Sequence, residues 1–476
     1  MLNFLKKITY QDIIFYFLCI SLFIVFLMPF MPYSTLNLIK TSSGGKTIYL
    51  NDILSENLYL FKVRYLIFYY TLCICSIAII FNKKLLAKLI NYFKSFSKLV
   101  QTSIGLFFIF GLISSSFAIS PSIAFKGISV TFLQFICVMF VAHYASQNFA
   151  AIKKIYTIVL LSLIFFGGSL FLHLLLSNFS IYGQVIAGNI QKVLLYTYNC
   201  LNPRFLDNYF SWFIPLLLLP WFVNLRPIFR LGSLVALVMV WFVLINHAFR
   251  TVVAEYIIIL PLLALYNRKM FKLILKIFTV TIVIAIVINF VYINYIMAVP
   301  NQEVSTIFRY DTSGRMSVWI EAFKIGLEHP FTGIGQWNYI AITKYDFAGY
   351  PHNLLLEIWS QWGIPAFIVA IIVIFNAIKN LFRERIEICV NPYYCMFIMM
   401  LTAGMIDSML NAMFKTSLGL FGCVFVFGFC LSIFKPNVQQ QSIEVSGLTF
   451  LITRLAVFGS LFCIVVLPLI FSPMWI

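Results

Sequence analysis

The sequence predicts an all-α polytopic integral membrane protein with about 12–13 transmembrane helices and a large loop that contains helices of its own. Three observations predict it. The chain has 476 residues, of which 62% are apolar and 10% charged, whereas a soluble domain carries roughly a quarter charged residues. Apolar runs of about 15–22 residues recur from end to end, the length a helix needs to cross a bilayer. Lysines and arginines gather in the short loops between those runs, as the positive-inside rule requires. The alternating, weaker segments of a membrane β-barrel are absent.

The first run covers about Ile13–Met31, preceded by Lys6 and Lys7. It is too long for the apolar core of a signal peptide, and no small-residue cleavage site follows, so it reads as a retained span. A loop with Lys40, Gly44, Gly45 and Asp52 leads to a second span, about Tyr65–Phe81, which ends at Lys83 and Lys84. That lysine cluster places the following loop, and with it the N-terminus, on the cytoplasmic side. The third and fourth spans, about Ser103–Ala118 and Ile128–Ala145, are joined by a turn at Ser120-Pro121. The fifth, about Ile155–Leu176, goes out to a loop ending in Asn202-Pro-Arg-Phe-Leu-Asp207. The sixth (about Tyr209–Val223) returns to Arg226 and Arg230. The seventh (about Leu231–Ile245) goes out to Arg250, and the eighth (about Thr251–Tyr266) comes back to Arg268, Lys269, Lys272 and Lys276. The ninth, about Ile277–Ala298, delivers the chain to the large outer loop. The tenth begins near Leu354–Trp362 and ends before Lys379 and Arg383. About Tyr393–Ile406 and Leu418–Phe434 form the next two, and about Leu455–Ile470 an extra C-terminal span. The chain therefore divides into residues 1–298 with nine spans, a large outer loop at 299–353, and residues 354–476 with the remaining spans.

The net charge of +18 does not point to nucleic acid, because its carriers follow topology. Contact with membrane lipids, anionic ones included, accounts for them. The ten cysteines lie mainly inside spans and show no C-x-x-C pair or zinc spacing, so neither a metal nor a disulfide framework is expected.

The chemistry-bearing residues concentrate in the outer loop. A helix is expected from about Gly314, capped by Ser313, with Met316, Trp319, Ile320, Phe323 and Leu327 on one apolar face. That face would lie against the membrane or the bundle. Arg315 falls in its first turn, where the helix dipole opposes a cation. The guanidinium would instead meet an anionic ligand beside the free N–H groups of that turn; a solvated arginine, or one paired with Asp311, is the structural alternative. Gly333-Ile-Gly335 makes a tight turn. Tyr350-Pro-His352-Asn353 then precedes a helix entering the apolar layer. An imidazole at that depth can take a proton from a hydroxyl nucleophile, or can simply anchor in the interface. Pro351 fixes its backbone and Asn353 adds an amide beside it. Arg250 stands at the outer end of the seventh and eighth spans, with Glu255 about one turn deeper as a structural partner. Arg204 re-enters the membrane just before the sixth span, where it would also snorkel. Arg204, Arg250, Arg309 and Arg315 thus share one face with His352. Guanidiniums suit phosphate and diphosphate oxygens. The aspartates Asp12, Asp52, Asp207, Asp311, Asp346 and Asp407 are scattered and form no D-x-D, so the oxygen cluster of a divalent-metal phosphate site is not expected.

Gly-Arg315-Met-Ser-Val-Trp319, His329-Pro-Phe-Thr-Gly-Ile-Gly335, and Pro-His352-Asn-Leu-Leu-Leu-Glu357 with Trp-Gly-Ile-Pro365 resemble the signature of the O-antigen ligase and polymerase superfamily, which includes bacterial O-linked protein oligosaccharyltransferases. Asn202-Pro-Arg-Phe-Leu-Asp207 and Arg250 resemble further features of it, and the likeness covers roughly Asn202–Phe434. The resemblance implies a metal-independent, inverting glycosyltransferase of GT-C type in the bacterial inner membrane, with its active site facing the periplasm and no cofactor. Its donor would be a glycan on undecaprenyl diphosphate. By position, His352 matches the histidine proposed to activate the acceptor hydroxyl, and Arg250 and Arg315 match arginines proposed to hold the diphosphate; the residues themselves add Arg204, Arg309 and Asn353 as the expected substrate-binding set. Thr251 stands where the family often has glycine.

Three acceptors fit such a family: lipid A–core for a ligase, another lipid-linked glycan for a polymerase, and Ser or Thr of a protein. The large soluble extension of the protein transferases is absent, and the match around Arg204 is closer to the ligases, so a ligase is the reading taken forward. A transporter or flippase, the reading from another class, would carry charged or broken helices at mid-membrane, whereas the spans here are almost free of charge, and no repeated halves are evident.

Overall fold

A computed structural model describes residues 9–27, 48–148, 150–179, 205–223, 225–247, 250–291, 314–345, 349–383, 391–411, 413–433 and 445–465. Among these residues every regular element is a helix and no strand occurs. Ten helices are long and apolar enough to cross a membrane, and Thr251–Leu265 and Ser417–Ile433 are shorter apolar helices.

In chain order the first helices are α1 (Tyr10–Leu27), α2 (Ile48–Phe81), α3 (Lys83–Lys94), α4 (Lys98–Ser116), α5 (Pro121–Gln147) and α6 (Ala150–Phe179). The second span of the sequence reading proves to be the end of a helix that begins at Ile48. No glycine or proline interrupts residues 48–81, so nothing stops the helix at the edge of its apolar part. Asn82 ends it and caps α3, its side-chain oxygen accepting the Leu85 N–H at 3.0 Å. α3 is amphipathic: Leu85, Leu86, Leu89 and Tyr92 are buried, while Lys83, Lys84 and Lys88 are exposed. It has the character of an interfacial helix between two spans.

α5 is the most enclosed of the spanning helices, with a nearly continuous buried run from Val138 to Ala145. It starts with Pro121 in the first turn, where the missing N–H costs nothing. At its far end Tyr144 donates to Asp12 of α1, whose carboxylate also accepts from Lys154 of α6 at 3.2 Å. Three helices are tied at one half-buried carboxylate, which gives that charge the partners it requires.

The next elements are α7 (Phe205–Phe213), a 3-10 turn at Pro215–Leu218, α8 (Leu219–Phe222), α9 (Pro227–His247), α10 (Arg250–Tyr266) and α11 (Arg268–Val291). The sixth span expected at Tyr209–Val223 is therefore not one helix. Pro215 and Pro220 each remove an intrahelical donor and break it into short pieces. The pieces survive because they are wholly enclosed; Leu206 to Pro220 are buried without exception.

The chain continues with α12 (Arg315–Glu328), α13 (Leu354–Arg383), α14 (Pro392–Leu410), α15 (Ser417–Ile433) and α16 (Gly447–Val465). α15 packs along α5, and α7 is wedged between α14 and α15. Trp212 of α7 is fully buried there, its indole N–H donating to the Gly419 carbonyl at 3.0 Å. A Cβ on Gly404 would lie 2.0 Å from that indole, and one on Gly422 2.1 Å. Small residues let the helices close on a large ring, as in other membrane bundles. α11 and α16 instead expose long apolar faces, including Val283, Val287 and Phe290, and Leu448, Leu451 and Leu455. Those are the surfaces suited to lipid.

Candidate active site

The loop between α11 and α13 has a small core of its own. Val318, Ala322 and Ile325 of α12 pack with Ile334 and Tyr339. The Glu321 carboxylate gathers the turn beneath them, accepting from Tyr339 at 3.1 Å, Thr343 at 2.7 Å and the Lys344 N–H at 2.8 Å. Of the two orientations the sequence left open, the apolar stripe of α12 is the face turned away from the loop core. The residues facing inward are the smaller Val318, Ala322 and Gly326, while Met316, Ile320, Phe323 and Leu327 are about half exposed. Trp319 is half-buried. Gly314, with φ +71°, precedes the first turn; Ser313, the expected cap, lies outside the described residues.

The Gly-Ile-Gly turn is a docking device. α13 is broken at Gly363, whose φ is +79° and ψ 178°, two residues before Pro365. The carbonyls freed by the break are taken by the loop: Ile334 N–H donates to Ser360 at 3.1 Å and Gly335 N–H to Gln361 at 2.9 Å. In return the Ile364 N–H donates to Pro330 at 2.7 Å. A Cβ on Gly333 would lie 2.3 Å from the Gln361 carbonyl carbon. The turn between α4 and α5 joins the same knot, with Ile119 N–H donating to Ile334 at 3.4 Å and Ser120 N–H to the Asn338 side chain at 2.8 Å. Backbone strain and close approach explain these glycines without a ligand.

This scaffold brings together two of the sequence-predicted residues. His352 has φ +54°, unusual for a side chain of its size. Its ring lies 4.4 Å from the Tyr350 ring. Arg315, in the first turn of α12, is half-buried and its charge acts on Tyr350. Burial, reinforced by Glu357, pushes the Tyr350 phenol up to about 12, with Arg315 opposing the rise. Tyr350 therefore stands beside the imidazole as a neutral hydroxyl within electrostatic reach of the cation.

Close by lies a set of carboxylates of which sequence reasoning singled out Glu255 alone, and only as a partner for Arg250. Asp407 of α14 is fully buried and within electrostatic reach of Arg315. Its Oδ1 accepts from the Asn411 side chain at 3.2 Å. Glu255 of α10, also fully buried, is within reach of Asp407 and Asp207. Its Oε1 accepts from Ser211 of α7 at 2.6 Å. Only a signal of the kind "carboxylate inside an apolar run" could have found this set, and it says nothing of which residues meet. The arginine expected to pair with Glu255 was Arg250. Arg250 opens α10, one turn above Glu255, and its side chain lies outside the described atoms.

Asn353 serves the scaffold. Its carbonyl oxygen accepts the Leu356 N–H at 3.0 Å, capping α13, and its amide donates to the Met409 carbonyl at 3.1 Å, clamping α13 to the end of α14. Glu357, one turn on, pairs with Lys415 at 2.5 Å, both largely buried. Arg204 and Arg309 lie outside the described residues. Among the described residues no group of three or more His, Cys, Asp or Glu is placed to hold a metal ion.

A loop-borne arginine and histidine, seated on a broken membrane helix close to buried carboxylates, define a polytopic membrane protein with a polar site at one end of its bundle. Residues 233–371 match the family model described as O-Antigen ligase. The matched segment begins in α9 and ends in α13, so it contains Arg250, Arg315, His352 and the docking turn, and it supports the O-antigen ligase/polymerase superfamily for this chain. Neither a curated protein nor a solved structure matches the chain significantly.

Proposed function

We propose that the protein is an O-antigen ligase: a metal-independent, inverting glycosyltransferase of GT-C type that moves a glycan from undecaprenyl diphosphate to lipid A–core at the periplasmic face of the bacterial inner membrane. The observation that carries this reading is the convergence of Arg315 and His352 on Tyr350, inside the segment that matches the O-antigen ligase family.

His352 takes the proton of the acceptor hydroxyl as its oxygen attacks the anomeric carbon. The bond from that carbon to the diphosphate oxygen breaks on the opposite face, and the configuration inverts. The departing undecaprenyl diphosphate carries the developing negative charge. Arg315 and Arg250 meet that charge, with Arg204 and Arg309 completing the diphosphate site. Buried Asp407, in reach of Arg315, acts as a positioning residue. It keeps the guanidinium directed into the site, where an unpaired arginine would turn to water. Tyr350, held neutral, supplies a hydroxyl beside His352.

The test is genetic, read on lipopolysaccharide gels. Deleting a ligase leaves bare core, with polymer retained on its lipid carrier. Core bearing a single repeat would instead identify a polymerase. Unchanged lipopolysaccharide with loss of glycoprotein would identify a protein transferase, and a defect in lipid-linked glycan reaching the outer face a flippase. Complementation with His352→Ala or Arg315→Ala fails to restore transfer while the protein remains in the membrane; full transfer by both variants refutes the site.

A further inference from the structure

Beside the reactive pair runs a row of aromatic rings that the reaction scheme above does not use. Tyr65 and Tyr69 stand one turn apart on α2, ring centroids 5.8 Å apart. The Tyr69 ring lies 6.4 Å from that of Trp337, tilted by 35°. At the other end Tyr65 is within electrostatic reach of Tyr350, whose ring is 4.4 Å from His352. Lys126 of α5 places its ammonium 5.7 Å from the centre of the Tyr69 ring. All six side chains are half-buried. They converge from α2, α5 and the loop between α11 and α13, whereas the neighbouring Tyr70 points outward and is 56% exposed.

Trp337 is held there against its own preference. Its φ is +66°, a conformation that costs a bulky residue roughly 1–3 kcal/mol and marks sites where geometry serves function. Its N–H is tied to the buried Gln361 side chain at 2.7 Å. The preceding Gln336 is fixed to Thr131 of α5 at 3.0 Å. Trp337 packs on the edge of the main core and keeps part of its surface accessible.

We propose that Tyr65, Tyr69, Trp337 and Lys126 form a glycan-binding track that leads sugar rings to His352. This rests on reading the protein as a glycan transferase. A pyranose presents one C–H-rich face, weakly positive, and a rim of hydroxyls. The negative faces of aromatic rings take the first, and phenol, ammonium and amide groups take the second. Lipid acyl chains would not match a cation beside the rings, and a free phosphate would have no use for the rings. The row sets which glycan is accepted, while the arginines hold the diphosphate common to all donors.

The test uses the full chain in proteoliposomes. The probe is the glycan released by mild acid from the host cell's polyprenyl-diphosphate pool. Saturable quenching of tryptophan fluorescence by this probe is expected in the wild type and is lost in Trp337→Phe. Tyr69→Ala raises both the Kd for the probe and the KM for the lipid-linked donor about three- to tenfold, with kcat nearly unchanged. Should Tyr69→Ala melt early, Lys126→Met carries the same test with the same expected rise. His352→Ala separates the two ideas, because it abolishes transfer and leaves probe binding intact. Transfer retained in His352→Ala overturns the transferase site. Transfer lost in His352→Ala, with Kd and KM unchanged in the track variants, overturns the track alone.

Discussion

Gly333→Ala puts the scaffold under the most direct strain. The φ of +63° at Gly333 costs an L-residue about 1–2 kcal/mol. The added Cβ would also meet the Gln361 carbonyl carbon at 2.3 Å, its oxygen at 2.4 Å and the Trp362 nitrogen at 2.5 Å. These are backbone atoms of a helix, so they cannot swing aside as a side-chain tip would. Forced overpacking of this kind costs about 1–3 kcal/mol. The sum is roughly 2–5 kcal/mol, relieved by lifting the turn from α13. Lifting it breaks the bonds from Ile334 to Ser360 and from Gly335 to Gln361, and frees the segment that carries Trp337. Purified protein in detergent should melt several degrees lower and lose transfer activity. Gly349→Ala is the control: its nearest neighbour is the Ile340 Cδ1 at 3.5 Å and its backbone needs no positive φ. Equal melting and equal activity for Gly333→Ala and the wild type would refute the claim that the turn is a docking device.

Other outcomes follow from the same geometry. Asp407→Asn removes the carboxyl group within electrostatic reach of Arg315 and should lower kcat at least tenfold with little change in acceptor KM, measured in a reconstituted transfer assay; wild-type kcat would exclude a positioning role. Asn353→Ala loses the α13 cap and the bond to Met409. It should cost about 1–2 kcal/mol, and Asn353→Asp, which keeps the acceptor, should recover the capping half in a thermal scan. Trp212→Ala empties the space enclosed by Gly404, Gly422 and Gly419 and should destabilise by about 3–5 kcal/mol; membrane yields equal to wild type would show that the bundle closes over the gap. Tyr350 binds its proton more tightly in the folded state, at about 12 against an ordinary 10.0. Its contribution is present in full below pH 10 and is lost as pH rises from 10 to 12. Alkaline unfolding should therefore begin later in Tyr350→Phe, and an unchanged onset would mean that other groups govern it.

The class of the protein was legible in composition and in the spacing of apolar runs, because a bilayer imposes length and apolarity on each helix separately. His352, Arg315 and the docking glycines were legible for a related reason. They lie close together in sequence, in a loop whose polar residues stand out against apolar surroundings. The breaks at Pro215 and Pro220 were visible as prolines, but their survival as short enclosed helices depended on what surrounds them. The outward turn of Met316, Ile320, Phe323 and Leu327 was not readable, since periodicity gives a stripe and not its direction.

What the sequence by itself determined is a helical membrane protein with a long polar loop that carries arginine and histidine. Those properties follow from local composition and period. What only the tertiary structure decided is which distant residues meet: Asp407 near Arg315, Ser211 on Glu255, Tyr69 beside Trp337 and Asn353 clamped to Met409. These pairings join different helices, and their geometry comes from how helices pack around small residues and broken turns. No local pattern in the chain encodes that packing.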